Sequence, residues 1–165
     1  MGVGKTYFGE RLAKIFSLPF FDFDSLIQEQ EKRTIASIFE SDGEEYFRDL
    51  ESNLLESFDN PGVIATGGGI VDREKNRAFL KNSKEIVLWL NPPWPTIKLR
   101  LSSAQQQNLQ TRPKISQLDD EMLYELWETR SQLYEEVSVI TNIDGNINSM
   151  VNQMMALSLL DLSLH

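Results

Sequence analysis

Near the start of the chain, the segment GVGKT places two glycines, a lysine and a threonine at the beginning of a predicted helix. Glycines let backbone N–H groups wrap around phosphate oxygens, and a helix N-terminus adds partial positive charge. Lys5 could then reach the β- and γ-phosphates of a nucleotide, and the Thr6 hydroxyl could bind Mg²⁺. The segment matches the end of the pattern G-x-x-x-x-G-K-[ST]. The alternative is a chance pair of glycines before a helix.

Two carboxylates follow in FFDFD, where Asp22 and Asp24 are predicted to end a short strand. One of them could hold Mg²⁺ through water while the other receives a substrate hydroxyl. The alternative is a structural role in a turn or as a helix cap, where Asp is common. The preceding phosphate-binding pattern favours the chemical role.

Three consecutive glycines, Gly67, Gly68 and Gly69, follow the apolar segment GVIAT. Glycines allow a close backbone approach to a ligand. They also lose more conformational entropy on folding than other residues, so three in a row indicate a use that offsets this cost. A plain tight turn is the alternative, but a turn rarely needs three glycines. The segment is therefore predicted to contact a ligand.

Three arginines lie in otherwise acidic or polar surroundings, at Arg48, Arg112 and Arg130. For each one the alternative is a solvated or salt-bridged arginine. Arg48 and Arg130 could pair with a carboxylate through two hydrogen bonds. Arg112 lies in a long polar segment and could stabilise charge on a transferring phosphoryl group.

The composition excludes several classes of function. The chain has 165 residues, which predicts one domain, and a net charge of −9, which argues against nucleic acid as a general partner. It has no cysteine, and its one histidine is His165, so thiolate or histidine chemistry is not expected. No apolar run approaches a membrane span and no signal peptide is visible, so we expect a soluble cytoplasmic protein.

Helical and strand-like segments alternate along the chain. The predicted strands are LPFFDFD, GVIAT, KEIVLWL (84–90) and VSVIT (137–141). The periodicity predicts helices over residues 7–16, 34–39, 44–58, 73–81, 95–101, 121–134 and 147–160, with Asp72 as the cap of the helix at 73–81.

Alternating helices and continuously apolar strands predict a parallel sheet that is covered on both faces. Ligands of such sheets bind beyond the carboxyl ends of the strands. The acids after FF, the triple glycine after VIAT and the loop after VLWL all fall at that edge. The candidate residues are therefore expected to meet there.

The order of these segments adds a resemblance to a known family. GKT, FFDFDSLI, IFESDGEEYFRDLE, VIATGGGIV, TRP and TRSQLYEEVS together resemble the shikimate kinases, small P-loop kinases of the nucleoside-monophosphate-kinase type. The resemblance runs from Gly2 to about Thr141. It implies a three-layer α/β/α P-loop NTPase fold with a parallel sheet and a single kinase domain over residues 1–165. The lid would span about 102–116 and the shikimate-binding region about 24–52.

The resemblance also implies a reaction, the ATP-dependent phosphorylation of shikimate to 3-phosphoshikimate in chorismate and aromatic amino-acid biosynthesis. The protein would be a monomer that binds shikimate and ATP with Mg²⁺. The implied catalytic residues are Lys5, Asp24 and Arg112, and the metal would be held by Thr6 and Asp22. The nucleotide would bind Gly2, Val3, Gly4, Lys5, Thr6 and Arg112, and shikimate would bind Asp24, Arg48, Gly67, Gly68, Gly69 and Arg130.

Two departures from the family pattern shape the expectations. The resemblance implies a central first strand and a front half of the P-loop that the sequence as given does not include, so we expect weak ATP binding and low stability. The predicted lid SSAQQQNLQTRP is poor in basic residues, and Lys114 stands where an apolar residue is common. Two alternatives stay open: a non-catalytic shikimate-kinase-like protein, or another small-molecule P-loop kinase such as a gluconate kinase.

Overall fold

The computed structural model describes residues 2–106, 118–142 and 145–162, in which helices and short strands alternate. The helices are α1 (Lys5–Phe16), α2 (Phe23–Glu31), α3 (Ile35–Ser41), α4 (Gly43–Ser57), α5 (Glu74–Asn82), α6 (Trp94–Gln106), α7 (Asp120–Val137) and α8 (Ile147–Leu162). The strands are β1 (Phe20–Asp22), β2 (Val63–Ala65), β3 (Leu88–Leu90) and β4 (Ile140–Asn142). None of the helices in these ranges is both long enough and apolar enough to cross a membrane.

The four strands pair in parallel, as predicted, but they form two separate sheets. Strand β1 pairs with β2, with Phe20 opposite Val63 at the start of the register. Strand β3 pairs with β4, with Leu88 opposite Ile140. Among the described residues each sheet has two strands, and neither sheet joins the other.

A cavity of about 730 Å³ lies between the two sheets. Its walls include every residue from Val63 to Thr66 and every residue from Val87 to Asn91. Successive side chains of a strand point to opposite faces, so consecutive residues can line one cavity only along the edge of their strand. The cavity therefore follows the edges of β2 and β3, and the side chains of Phe8 and Leu12 also line it.

The apolar core holds in place the helices that carry the candidate residues. Helix α4 contributes Phe47 to one buried cluster and Leu55 to another. Full burial of a side chain of this size stabilises the fold by roughly 1.5–3 kcal/mol. These two anchors fix α4 against α2 on one side and against the segment after β2 on the other. The clusters are Phe23, Leu55, Ile70, Val71 and Val137; Ile27, Ile35, Ile38 and Phe47; and Phe8, Leu12 and Met150.

Helix α2 is absent from the sequence prediction, which assigned both acids of FFDFD to a strand. The strand ends at Asp22, whose side-chain Oδ1 accepts a hydrogen bond of 3.0 Å from the backbone N–H of Asp24. This contact caps α2 and turns the chain from extended to helical. Phe23 and Ile27, one turn apart, are both buried. The strand assignment is therefore wrong for Asp24, which lies in the first turn of a helix.

Two other predicted boundaries also move. The strand predicted over 84–90 is limited to Leu88–Leu90. The strand predicted from Val137 begins only at Ile140, because α7 continues to Val137. Val137 is buried in a core cluster at the end of that helix. Tertiary packing thus overrides the preference of a β-branched residue for a strand.

Candidate active site

The glycine segment before α1 has the geometry of an anion site built from backbone. Gly4 occupies the N-cap position with a left-handed φ of 89°, which a residue with a side chain rarely adopts. Among the described residues no side chain caps this helix end, and no acidic residue lies in the first turn. The backbone N–H groups of the first turn therefore keep the partial positive charge that favours an anion.

Thr6 and Asp22 bring two oxygen donors together beside this helix end. The Thr6 hydroxyl donates a hydrogen bond of 3.2 Å to Oδ2 of Asp22, while Oδ1 of the same carboxylate caps α2. Hydroxyl and carboxylate oxygens suit Mg²⁺, which also keeps waters and substrate phosphates as ligands. In the described part of the chain no cluster of three or more acidic or imidazole side chains could hold a metal by itself. The pair therefore fits a metal that is shared with phosphate.

Asp24 and Glu51 both approach the first residue of the triple glycine. Oδ1 of Asp24 lies 3.4 Å from the place that a Cβ would occupy at Gly67, and the Glu51 carboxylate overlaps that place. A side chain at Gly67 would displace Glu51, which is buried. Glycine is therefore required here so that two carboxylates can lie against the backbone.

Arg48 is buried on α4 and is fixed by two glutamates of the same helix. Its Nη1 donates to Glu51, and its Nη2 donates to Oε1 of Glu44 at 3.0 Å. Burial by itself lowers the pKa of Arg48, but the charge and hydrogen bond of Glu51, with smaller contributions from Glu44 and Asp72, raise it above its usual range. The guanidinium therefore stays charged.

Arg48 also touches the triple glycine. A Cβ at Gly69 would lie 2.6 Å from Nη1 of this arginine. Such a contact would force the guanidinium to move, so a glycine at this position lets the arginine lie directly on the backbone. The loop between β2 and α5, residues 66–73 (the glycine loop), thus meets α4 through Arg48 and Gly69.

Arg130 approaches the same loop from α7. Its Nε and Nη2 donate to the two carboxylate oxygens of Asp72 at 2.9 and 2.5 Å. One turn further along α7, the Tyr134 hydroxyl donates to the carbonyl of Gly68 at 3.3 Å. The prediction that Asp72 caps a helix is wrong, because Arg73 occupies that position and Asp72 is engaged by Arg130.

Two regions contribute residues to one cavity: residues 2–6 (the phosphate side), and Arg48, Arg130 and the glycine loop (the arginine side). Lys5, Thr66, Gly68 and Arg130 all line the cavity that follows the edges of β2 and β3. The structure thus brings together the predicted residues of α1, of the glycine loop and of α7, and places Asp24 and Arg48 against the same loop. Arg112 and Lys114 lie outside the described residues.

Comparison with known proteins identifies the family. The sequence model of the family described as shikimate kinase matches residues 1–158. The chain belongs to the shikimate kinase family. A shikimate kinase from Dictyoglomus turgidum is 37% identical over 149 residues, which cover 88% of this chain and 84% of that protein. One from Staphylococcus aureus (strain MSSA476) is 38% identical over 139 residues, covering 84% of this chain and 76% of that protein.

A solved shikimate kinase structure also matches the fold. The shikimate kinase from Acinetobacter baumannii, solved in complex with shikimate, superimposes with a TM-score of 0.79 at 32% identity. The match covers 98% of this chain and 89% of that chain. The predicted α/β fold of P-loop kinases and the predicted membership of the shikimate kinase family are confirmed.

Three residues of this candidate site are missing from the sequence prediction. Glu51 had a visible signal, because Glu44 and Glu51 lie four residues before and three residues after Arg48 on one helix face. Asp72 had none, since its partner Arg130 is 58 residues away. Arg100, on α6, donates from Nη1 to the carbonyls of Gly2 and Val3 at 3.2 and 3.1 Å. No sequence signal marks that contact.

Proposed function

We propose that this protein transfers the γ-phosphoryl group of ATP to the 3-hydroxyl of shikimate, giving 3-phosphoshikimate on the route to chorismate and the aromatic amino acids. The observation that carries the proposal is the glycine loop, which Arg48 contacts at Gly69 and Arg130 contacts at Asp72. Shikimate is a small carboxylated polyol, so a site for it needs cations for the carboxylate and an acid for the hydroxyls. Asp24 lies against the same loop.

The two arginines would bind the shikimate carboxylate. Both arginine side chains are largely removed from water, with side-chain exposures of 9% for Arg48 and 11% for Arg130. Charge-assisted hydrogen bonds are strongest where water is excluded. The buried backbone of Gly67, Gly68 and Gly69 would form the floor on which the ring of the substrate lies.

Asp24 would accept the proton of the attacking hydroxyl. It lies in the first turn of α2, two residues after Asp22, whose carboxylate accepts the hydrogen bond from Thr6. Positioning the hydroxyl in line with the phosphoryl group and neutralising its charge account for most of the catalysis in such transfers. Lys5 and the N-terminus of α1 would supply positive charge to the phosphates. The role of Arg112 as a lid arginine stays a prediction.

Thr6 and Asp22 would hold the Mg²⁺ that accompanies ATP, and their hydrogen-bonded oxygens fit that ion. When bound, Mg²⁺ neutralises charge on the β- and γ-phosphate oxygens. Gly2, Val3 and Gly4 would contact the phosphates through their backbone. We further propose one kinase domain over residues 1–165, with a shikimate-binding region at about 24–52 and a lid at about 102–116. The monomeric state and the cytoplasmic location stay predictions.

The proposal is tested by measuring ADP release in a coupled assay with Mg-ATP, over a wide range of ATP concentrations, with and without shikimate. We expect ADP release to depend on shikimate and to be lost in Lys5→Ala. Gluconate in place of shikimate should give no turnover. Release that depends on gluconate, or a folded protein that binds both shikimate and ATP without turnover, would contradict the proposal.

A further inference from the structure

Asp72 and Arg130 form a paired contact with two parallel hydrogen bonds. Nε of Arg130 donates to Oδ1 and Nη2 donates to Oδ2, at 2.9 and 2.5 Å. This fork-to-fork arrangement fixes the plane of a guanidinium as well as its position. The side chain of Arg130 is 11% exposed and that of Asp72 is 33% exposed, so the pair is partly shielded from water. Such shielding makes the contact stronger than an ordinary surface ion pair.

The contact leaves a second binding edge on Arg130. A guanidinium has one edge formed by Nε and Nη2 and another formed by Nη1 and Nη2. Asp72 takes the first edge, and Arg130 also lines the cavity that Lys5 and Gly68 share. A ligand carboxylate can therefore use the edge with Nη1 while Asp72 keeps its hydrogen bonds.

Asp72 also belongs to the loop that Arg130 helps to form. The loop is tied to α7 at two points, because the Tyr134 hydroxyl donates to the Gly68 carbonyl and Arg130 pairs with Asp72. On its other side the loop lies against Arg48, with Gly69 in contact with that guanidinium. The position of Asp72 thus sets where Arg130 lies relative to the loop backbone.

We infer that Asp72 is a positioning residue for substrate binding: it holds the Arg130 guanidinium so that the Nη1 edge is presented to the carboxylate of the acceptor substrate. This inference rests on the proposed function and names how one of its binding residues is oriented. It assigns a role to a carboxylate that touches no reacting atom. Its consequence is selective, because it affects the binding of the carboxylated substrate and not the phosphoryl transfer.

The test is the steady-state kinetics of Asp72→Asn. We expect KM for shikimate to rise about tenfold, which corresponds to about 1.4 kcal/mol, while kcat and KM for ATP stay within about twofold. Asp72→Glu keeps the charge and should recover part of the loss. Asp120→Asn is the matched control, because it makes the same chemical change in an exposed ion pair between α7 and Lys98. It should leave all three constants unchanged.

A second measurement does not depend on turnover. The Nε–H resonance of Arg130 in an ¹⁵N NMR spectrum should exchange slowly with water in the wild-type protein and rapidly in Asp72→Asn. If this resonance behaves as expected and shikimate is not turned over, the proposed function fails while the Asp72–Arg130 contact stands.

Three kinetic outcomes would overturn the inference. An unchanged KM for shikimate in Asp72→Asn would show that Asp72 does not position Arg130. A lower KM would show that Asp72 competes with the substrate for the arginine. Equal changes in kcat and in the KM for ATP would show that Asp72 only supports the fold.

Discussion

The arginine side and the phosphate side of the site are built in different ways. Arg48 and Arg130 are each held by carboxylates of the same chain, and both touch the glycine loop. Around Gly2 to Thr6, by contrast, the described contacts are mostly with backbone. The N-cap of α1 is a glycine, and Arg100 donates to two carbonyl groups of this segment. The first region is organised by charged side chains and the second by helix geometry.

This difference assigns different tasks to the two regions. Arg48, paired with the buried Glu51, and Arg130, held by two hydrogen bonds to Asp72, have little freedom left, so the arginine side is organised before any ligand binds. Backbone N–H groups at a helix end gain a strong partner only when an anion arrives. We therefore expect substitutions on the arginine side to change shikimate affinity and stability, and those on the phosphate side to change nucleotide use.

The largest effect should come from Asp24, which lies where the two regions meet. Asp24→Asn removes the proposed base while keeping the size of the side chain, so kcat should fall about a thousandfold, within the range for general-base catalysis. KM for shikimate should change little, because the carboxylate of the substrate binds elsewhere. The coupled ADP assay measures both constants, and a kcat within threefold of the wild type would remove Asp24 from the chemistry.

Glu51→Gln should be the most destabilising change on the arginine side. It leaves the buried Arg48 without the full charge of its partner, and breaking a buried ion pair costs about 3–5 kcal/mol. Urea denaturation measures the free energy of unfolding. Asp120→Asn, which breaks an exposed pair with Lys98, should change it by less than about 1 kcal/mol. An equal loss of unfolding free energy in the two variants would show that the buried pair of Arg48 and Glu51 stabilises the fold no more than an exposed ion pair does.

The two regions differ in how much of them could be predicted from sequence. The glycines, Lys5 and Thr6 lie within one short segment, so their type and spacing indicated a phosphate site, and the later segments that resemble the shikimate kinases favoured it over a chance pair of glycines. The pairing of Asp72 with Arg130 depends on how a loop and α7 pack across 58 residues, which no local pattern encodes. The sequence instead favoured Asp72 as a helix cap, since Asp is common there.

The sequence predicted the fold class, but it predicted the limits of the individual strands and helices less well. Continuous apolar runs correctly predicted parallel strands, because such strands are buried on both faces. The strands are only three residues long, and their division into two sheets is a tertiary property. Helix α2 was missed because FFDFD is rich in residues that favour strands. In the structure, the hydrogen bond that caps the helix at Asp22 and the burial of Ile27 stabilise the helix instead.

A smaller effect is expected from Thr6 on the phosphate side. Thr6→Val removes the hydroxyl that donates to Asp22 but keeps the branched shape of the side chain. The Mg²⁺ concentration needed for half-maximal rate should rise about tenfold, within the range seen when a group that supports a metal site is lost. Shikimate affinity should not change. A shift in shikimate affinity without a shift in the Mg²⁺ requirement would show that Thr6 supports shikimate binding and not the metal site.

The smallest effect should come from Tyr134→Phe. This change removes the hydrogen bond from α7 to the Gly68 carbonyl and keeps the ring that stacks on Trp89 at 5.7 Å between centroids. The free energy of unfolding should fall by about 0.5–1.5 kcal/mol, as for a single neutral hydrogen bond. Thermal or urea unfolding checks this value, and a loss above about 3 kcal/mol would mean that the stacked ring has also moved.

The central claim is that the arginine side forms a shikimate site that does not need the phosphate side. Calorimetric titration of shikimate into the protein without nucleotide tests it most directly. We expect binding at one site per chain that is retained in Lys5→Ala and lost in Arg130→Ala. Shikimate binding that disappears in Lys5→Ala, or that persists unchanged in Arg130→Ala, would contradict this account.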